Sequence, residues 1–558
     1  MDNKAISKIF KLCSQLMELH NENPFRTKSI ASASFKLDKL PFRIEEASLE
    51  DLSAQPGIGK STAEKAKEVA ATGTFKELKE LVEQTPLGIV EMLNIKGLGP
   101  KKIQIIWKEL EIESVGELLY ACNENRLVEA KGFGLKTQED IKKSIEFSIS
   151  NKGWFLYAKV LPLAEKFFNE LKLHFPSSLL SFTGDFRRKC EVLSTVDLLI
   201  SESIDNVEKF LAGFTLVEKT ENSIELTDEL GFTFKVFSSN INDFYRDLIL
   251  STGSTAHLDL LFNILPDLPS LSSEEAIYRN LGLDYIEPEL REGLNEIVQA
   301  QNHTLPKLIQ YKDLRGTLHN HSTYSDGVHS LQQMAVHCKE VLGLEYLGIC
   351  DHSRTAVYAN GLSIERLEQQ WDEIATLNEK LAPFKIFRGI ESDILGDGSL
   401  DYPDEVLAKF DFVVASVHSN LKMDEDKATT RLIKAIENPY TTILGHPTGR
   451  LLLSRAGYPL DFKRVIDACA ANGVVIEINA NPLRLDLDWR WHRYAVEKGV
   501  LLSINPDAHR TEGLHDMQYG VLVAQKGGLQ ASNCLNTYLL DAITTYFNTK
   551  KARLGYVE

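Results

Sequence analysis

From about residue 314 onward, short apolar runs alternate with amphipathic stretches. The runs are GTLHNHS, YLGICDHS, KIFRGIESDIL, FDFVVASVHS, TTILGHPTG, GVVIEINAN and GVLLSINPDAH, separated by segments such as SLQQMAVHCKEVLG and DFKRVIDACAANG. Continuous apolar runs of this length suit strands buried on both faces, and the segments between them have helical spacing. Seven such alternations predict a distorted (β/α)7 barrel of parallel strands, with functional side chains at the strand ends. Upstream the pattern differs. Ile6, Ile9, Phe10, Leu12, Cys13, Leu16 and Met17 predict an amphipathic helix, and Pro24 separates it from a second one. Three segments then repeat Gly-apolar-Gly between helical patterns. Residues 151–300 read as mixed α/β, with strands expected at VDLLIS (196–201) and FTFKVF (232–237) and a polar linker at 301–313.

Composition narrows the class without deciding it. With 558 residues, 43% apolar and 25% charged, the chain reads as a soluble protein of several domains. No stretch approaches the roughly 18 apolar residues of a membrane span, and MDNKAISKIFKLC lacks an apolar signal core. A cytoplasmic, nucleoid-associated and monomeric protein is expected. The seven cysteines form no CxxC pair, which argues for a reducing compartment and against a thiolate zinc site. The formal charge of −17 falls almost entirely after residue 150. That leaves the helical N-terminal part close to neutral and still able to hold an anion through backbone amides and a few lysines.

The three glycine repeats carry chemistry of that kind. They are LSAQPGIGKSTA with Gly57, Gly59 and Lys60, LNIKGLGPKKI with Gly97, Gly99, Lys101 and Lys102, and VEAKGFGLKTQEDI with Gly132 and Gly134. Two glycines around one apolar residue permit a tight turn, after which the amides of the next helix can grip a phosphate. A plain interhelical turn is the alternative for any single copy, and the third, where Lys136 is followed by Glu139 and Asp140, is the one read as structural only. The repeats resemble the helix-hairpin-helix motif of DNA-repair proteins, which implies binding to the DNA backbone irrespective of sequence.

The second constellation lies at the strand ends of the C-terminal part, which holds ten of the fourteen histidines. In LRGTLHNHSTYSD, His319 and His321 sit at i and i+2 and share a face of the strand, and Asp326 follows around a turn. His352, Glu391, His418, His446, Asp507 and His509 end later runs. Nitrogen and oxygen donors without cysteine suit Zn²⁺, Mn²⁺ or Fe, and nine candidates imply two or three divalent ions. Such ions acidify water and neutralise phosphate charge. Asp351, Asp393 and Asn420 are candidates for orienting the ligands, and Arg354, Arg450 and Arg484 for clamping phosphate.

The order of hairpin repeats, TGDFRRKCEVLSTVDLLI (183–200), LSTGSTAH (250–257) and LGLDYIEPELREG (281–293) resembles the bacterial family X DNA polymerases, PolX. HNH, SDG, CDHS, GIES, VHSN, GHP and PDAH likewise resemble the PHP domain that ends such chains. The resemblance implies helical DNA-binding parts at 1–85 and 86–150, an α+β nucleotidyltransferase-like palm at 151–240, a thumb-like part at 241–305 and a PHP phosphoesterase domain at 306–558. In the palm, the family's triphosphate-binding serine is replaced by Asp185, its first metal-binding aspartate by Thr195 and its third by Lys235, which leaves Asp197 alone. Two-metal phosphoryl transfer needs those carboxylates, so the expectation is a chain without polymerase activity, although Arg187 and Arg188 could still touch a DNA phosphate. In the PHP part, the resemblance gives one ion to His319, His321, Glu391 and Asp507, a second to Glu391, His418 and His446, and a third to Asp326, His352 and His509. Glu391, Asp507 and His509 would carry the catalysis. The activity implied is a 3′–5′ exonuclease on DNA ends, gaps or damaged sites, with abasic-site cleavage as a second activity. A small-molecule phosphatase and a still-active polymerase are the alternatives.

Overall fold

The structure, a computed structural model, describes residues 1–552 other than 129, 131, 151, 152, 212, 229 and 230. It divides into two compact units, Met1–Ser148 and Ile149–Glu558. Among the described residues no helix is long and apolar enough to cross a membrane.

The first unit is helical. Asp2 caps the helix Asn3–Leu19 by accepting from the Ala5 N–H, and the buried stripe Ile6, Phe10, Cys13 and Met17 turns inward. Asn23 and Pro24 open the next helix, Pro24–Asp38, where a proline without an N–H is tolerated. Each glycine repeat is a turn between helices: Leu49–Ser53 to Lys60–Thr72, Leu87–Met92 to Pro100–Lys108, and Val115–Asn123 to Leu135–Ser150. The leading glycines Gly57, Gly97 and Gly132 take φ of 77°, 90° and 88°, a left-handed conformation that excludes most side chains. Ile58 and Leu98 fill the core beneath the first two turns. Glu129 and Lys131 of the third lie outside the described residues.

The second unit begins with a five-stranded mixed sheet. Its order is Leu180–Thr183, Thr195–Ile200, Thr233–Ser238, Ser223–Thr227, Thr215–Lys219, with only the second and third strands parallel. Val196, Leu198, Phe234 and Val236 face the core, so the intervening Asp197 and Lys235 share the opposite face and are register partners. A small helical cluster around Ile249, Leu261, Tyr278 and Ile286 follows.

Phe155–Leu156 and Val192–Leu193 form a short antiparallel pair, and the strands from Gly316 onward are parallel and buried along almost their whole length. One sheet pairs Gly316–Thr317, Tyr346–Ile349 and Lys385–Arg388. The other runs Glu391–Asp393, Val414–Ser416, Ile443–Leu444, Val475–Asn479 and Leu502–Asn505. The run KIFRGIESDIL, expected as one strand, is thus two, parted at Gly389–Ile390. Gly389 lies against Phe412 and Cys350, where an added Cβ would meet both within 2.6 Å. Parallel bridges His352 to Glu391 and Asn320 to Ala508 tie the strand ends of the two sheets together. Helices such as Ile364–Leu381, Glu425–Ile436 and Phe462–Asn472 lie between the strands in sequence and bury their apolar faces. The helix Met517–Lys526 also reaches the mixed sheet: Tyr519 and Leu522 pack on its core. The buried Lys526 ammonium donates to the Arg188 carbonyl at 3.1 Å and pairs with Glu292.

Candidate metal centre

The strand Gly316–Thr317 runs on into His319, Asn320 and His321, all fully buried. Alternation sends both imidazoles one way, while the Asn320 amide turns the other way to donate to Thr317 Oγ1 and the Gly348 carbonyl, each at 3.1 Å. The following turn is tied to Asp351. Ser322 donates to it from N at 2.8 Å and Oγ at 2.7 Å, Ser325 from N at 3.1 Å and Oγ at 2.5 Å, and Gln370 at 2.7 Å. Asp351 therefore holds the loop that presents Asp326 and orients no imidazole.

Glu391 is the hub. Its Oε1 lies 2.9 Å from His446 Nε2, 3.1 Å from His418 Nε2 and 3.3 Å from His319 Nε2. Its Oε2 lies 3.0 Å from His352 Nδ1 and 3.6 Å from His321 Nε2. Asp507 Oδ1 stands 3.0 Å from His321 Nε2 and 3.6 Å from His319 Nε2, and Asp326 reaches His509 Nε2 at 3.3 Å and His352 Nε2 at 3.6 Å. All nine predicted ligands meet in one cluster. Donor atoms within 4.8 Å of one another group as His321, Asp326, His352 and His509, as His319, His321 and Asp507, and as His352, Glu391 and His418. His321 and His352 thus each stand between two groups, whereas the resemblance gave each to one ion.

Several of these atoms meet only one another. His319 Nε2, His321 Nδ1, Asp326 Oδ2, His352 Nδ1 and Glu391 Oε2 are buried and form no hydrogen bond of ordinary geometry; what faces them are the ion-pair contacts of the cluster itself, a concentration of buried charge that a cation would relieve. Burial opposes the charged form of Glu391, yet His418, His319 and His352 hold its pKa well below the usual carboxylate range. Burial likewise opposes charge on His319 and His352, but the surrounding carboxylates raise both well above an ordinary imidazole. His418 is raised to about 9 against its burial by Glu391 and Asp393, while His321 is pushed down to about 3 by burial and by His509 and His352. Imidazolium protons thus balance the buried carboxylates, and divalent ions would displace those protons on binding. The donor set fits divalent metal in charge and in chemistry.

Two ligands have a carboxylate at their far nitrogen. His418 Nδ1 lies 2.5 Å from Asp393 and His319 Nδ1 lies 2.7 Å from Glu477, the outer partners that fix tautomer and ring orientation. Asp393 had been singled out; Glu477 had not. Its signal was a lone acid inside the buried run GVVIEINAN. Asn420 lies on an exposed loop.

The three arginines expected as phosphate clamps all have partners within the protein. Arg450 is spent on Asp488 at 2.5 Å, the Arg484 carbonyl at 2.8 Å and the Leu485 carbonyl. Arg354 is bound to Asp401 through its side chain at 3.2 Å and its carbonyl at 2.6 Å. Arg484 is buried with Nε 3.9 Å from Asp507. In the mixed sheet, Arg187 and Arg188 are likewise internal: Arg187 grips Glu274 at 3.0 and 2.5 Å, and Arg188 binds Glu292 at 3.0 Å and the Thr252 carbonyl at 2.6 Å. Asp185 is exposed and paired with Arg188, and Lys235 lies 3.7 Å from Glu225. The buried Asp197 Oδ1 has no hydrogen-bond partner, and burial raises that carboxyl's pKa.

A buried His/Asp/Glu cluster at the ends of parallel strands, in a chain that opens with helical hairpins, points to an enzyme of the phosphoesterase or nucleotidyltransferase class. The PHP domain family matches residues 317–481, a helix-hairpin-helix domain matches 1–75, and a SAM-like helix-hairpin-helix tandem matches 89–146. The DNA polymerase/3'-5' exonuclease PolX of Bacillus subtilis (strain 168) is 32% identical over 577 residues, covering 98% of this chain and 99% of that protein. The chain belongs to the bacterial PolX family. Probable phosphatases of Thermoanaerobacter sp. (strain X514) and of Caldanaerobacter subterraneus are 28% and 27% identical, but they cover only 42% and 43% of this chain.

Proposed function

We propose that this protein is a metal-dependent 3′–5′ DNA exonuclease whose chemistry resides in the PHP domain, and that its polymerase activity is lost. The observation that carries the reading is the contrast between the two sites. Eight ligand-type side chains surround Glu391, whereas of the three palm positions at which the family carries metal-binding aspartates only Asp197 keeps a carboxylate, and its register partner is Lys235. One ion would be held by His319, His321, Glu391 and Asp507, a second by Glu391, His418 and His446, and a third by Asp326, His352 and His509, with Mn²⁺ or Zn²⁺ the best match to the donors. What such ions supply when bound is Lewis acidity toward the scissile phosphate and acidification of water. The chain's own part is to hold the imidazoles in register, to keep Glu391 and Asp507 ionised, and to exclude bulk water through burial.

The first unit supports DNA as the substrate. The helices Lys60–Thr72 and Pro100–Lys108 begin at Gly59 and Gly99 with no side-chain cap. A Cβ at either glycine would meet nothing within 4 Å. Their first-turn amides are thereby open to a backbone phosphate beside the exposed Lys60 and Lys101. On this reading residues 1–85 and 86–150 grip DNA, 151–240 form the degenerate palm, 241–305 the thumb-like part, and 306–558 a (β/α)7 PHP barrel closed through the Asn320–Ala508 bridge.

The test is a 5′-labelled DNA oligomer incubated with Mn²⁺ and either the wild type or the His319→Ala, His321→Ala double variant. A ladder of shortened products from the wild type alone is expected. A ladder that survives the double substitution sinks the assignment, and turnover confined to small phosphate monoesters would point instead to a phosphatase.

A further inference from the structure

Glu477 lies at the centre of the strand Val475–Asn479 and is fully buried. Its Oε1 stands 2.7 Å from His319 Nδ1 and accepts from Asn505 Nδ2 at 3.1 Å. Its Oε2 accepts from the backbone N–H of His446 at 2.8 Å and from Asn479 Nδ2 at 3.2 Å. A carboxylate has about four acceptor sites, so this one is fully used, and that is what makes its burial tolerable.

Two of the four donors belong to different parts of the centre. With Nδ1–H given to Glu477, the proton that His319 would yield to a cation is the one on Nε2, the atom turned toward Glu391 and Asp507. His446 is held through its main chain, at φ 22°, a conformation that persists only where the surroundings impose it. Its Nε2 stands 2.9 Å from Glu391 Oε1. Asp393, by contrast, serves His418 alone and otherwise binds Thr355 Oγ1.

We propose that Glu477 is a positioning residue that sets two ion positions at once, one oxygen fixing the tautomer of His319 and the other the backbone of His446. The inference rests on reading the cluster as a metal centre and names a determinant of its affinity. Glu477→Gln is nearly isosteric, but its amide can accept from His319 or from His446, never from both, because its NH₂ end meets the second donor with a donor.

The experiment uses the full-length wild type, Glu477→Gln and Asp393→Asn, each stripped with chelator and titrated with Co²⁺. Calorimetry reads affinity and stoichiometry, visible absorption of the bound Co²⁺ reads ligand geometry, and circular dichroism reads the melting of the metal-free forms. In Glu477→Gln, binding is expected to weaken roughly 10–100-fold at two positions with an altered Co²⁺ spectrum, while Asp393→Asn weakens one. Metal-free melting should stay within a few degrees of the wild type. Wild-type affinity and spectrum in Glu477→Gln, or loss at one position only, overturns the proposal. Should the glutamine variant not fold, Glu477→Asp replaces it and is expected to weaken Co²⁺ binding at the same two positions; wild-type affinity and spectrum there count equally against the proposal. A wild type that takes up no Co²⁺ overturns the metal centre and this inference together. One that binds Co²⁺ but leaves DNA intact fails the exonuclease reading alone, since the titration does not depend on DNA.

Discussion

His418 shows how much a single outer partner contributes at the residue scale. Its Nδ1 lies 2.5 Å from Asp393, so Asp393→Asn removes the charge that keeps its Nε2 basic and turned toward Glu391. The expected result is a roughly 10–100-fold higher Mn²⁺ requirement for nuclease activity, read as activity against Mn²⁺ concentration; an unchanged Mn²⁺ dependence would argue that the ring needs no anchor. The nine candidate ligands stood out in the sequence because eight of them lie at or near the ends of apolar runs, with Asp326 around the turn that follows the first, and the structure brings all nine side chains together. Glu477 escaped that logic. It sits mid-run, and its purpose depends on His319 and His446, respectively 158 and 31 residues away. The arginines show the complementary difficulty: a guanidinium near a strand end has the same sequence signature whether it faces a phosphate or, like Arg450, an aspartate.

Hairpins and helices give the element-scale tests. Because Gly59 and Gly99 leave their helices uncapped and open, Lys60→Ala should weaken DNA binding across all sequences and lower the slope of log K against log salt by about 0.9. Fluorescence anisotropy at several salt concentrations measures it, and an unchanged slope would leave the first hairpin as an ordinary turn. The helix His492–Glu497 makes a separate prediction. His492 is fully buried, donates from Nε2 to the Leu487 carbonyl at 3.0 Å, and has its pKa pushed down to about 4 chiefly by burial. Below pH 6.5 the unfolded chain takes up a proton that the folded one refuses, so stability is complete above pH 6.5 and falls as pH drops toward 4. The loss amounts to about 3 kcal/mol. Urea midpoints between pH 7 and 4.5 should fall more steeply for the wild type than for His492→Gln, and parallel profiles would contradict this. At this scale the periodicities served well: the opening helices, the strands at 195–200 and 233–238 and the later parallel strands lie where the pattern put them. The break at Gly389 did not show, because it arises from a close approach of Phe412 and Cys350 that no local pattern encodes.

At the scale of the whole molecule, the separation of roles predicts that the wild type incorporates no labelled nucleotide on a gapped template with Mg²⁺ or Mn²⁺. Incorporation that persists in the His319→Ala, His321→Ala variant would show that Thr195 and Lys235 do not disable the palm. The ion pairs that occupy Arg187 and Arg188 join residues 87 and 104 positions apart, which is why sequence alone left them as candidate DNA contacts. The same network ties the mixed-sheet region to a helix of the C-terminal part. Lys526, on the helix Met517–Lys526, buries its ammonium against Glu292 and the Arg188 carbonyl. Deleting everything before residue 306 would strand that charge and bare Tyr519 and Leu522. On the reading proposed above, three substitutions, at 185, 195 and 235, would suffice to end the polymerase reaction, whereas removing the polypeptide would require a coordinated repair of the surface it covers, which makes the mixed-sheet region a structural dependency of the domain that follows it.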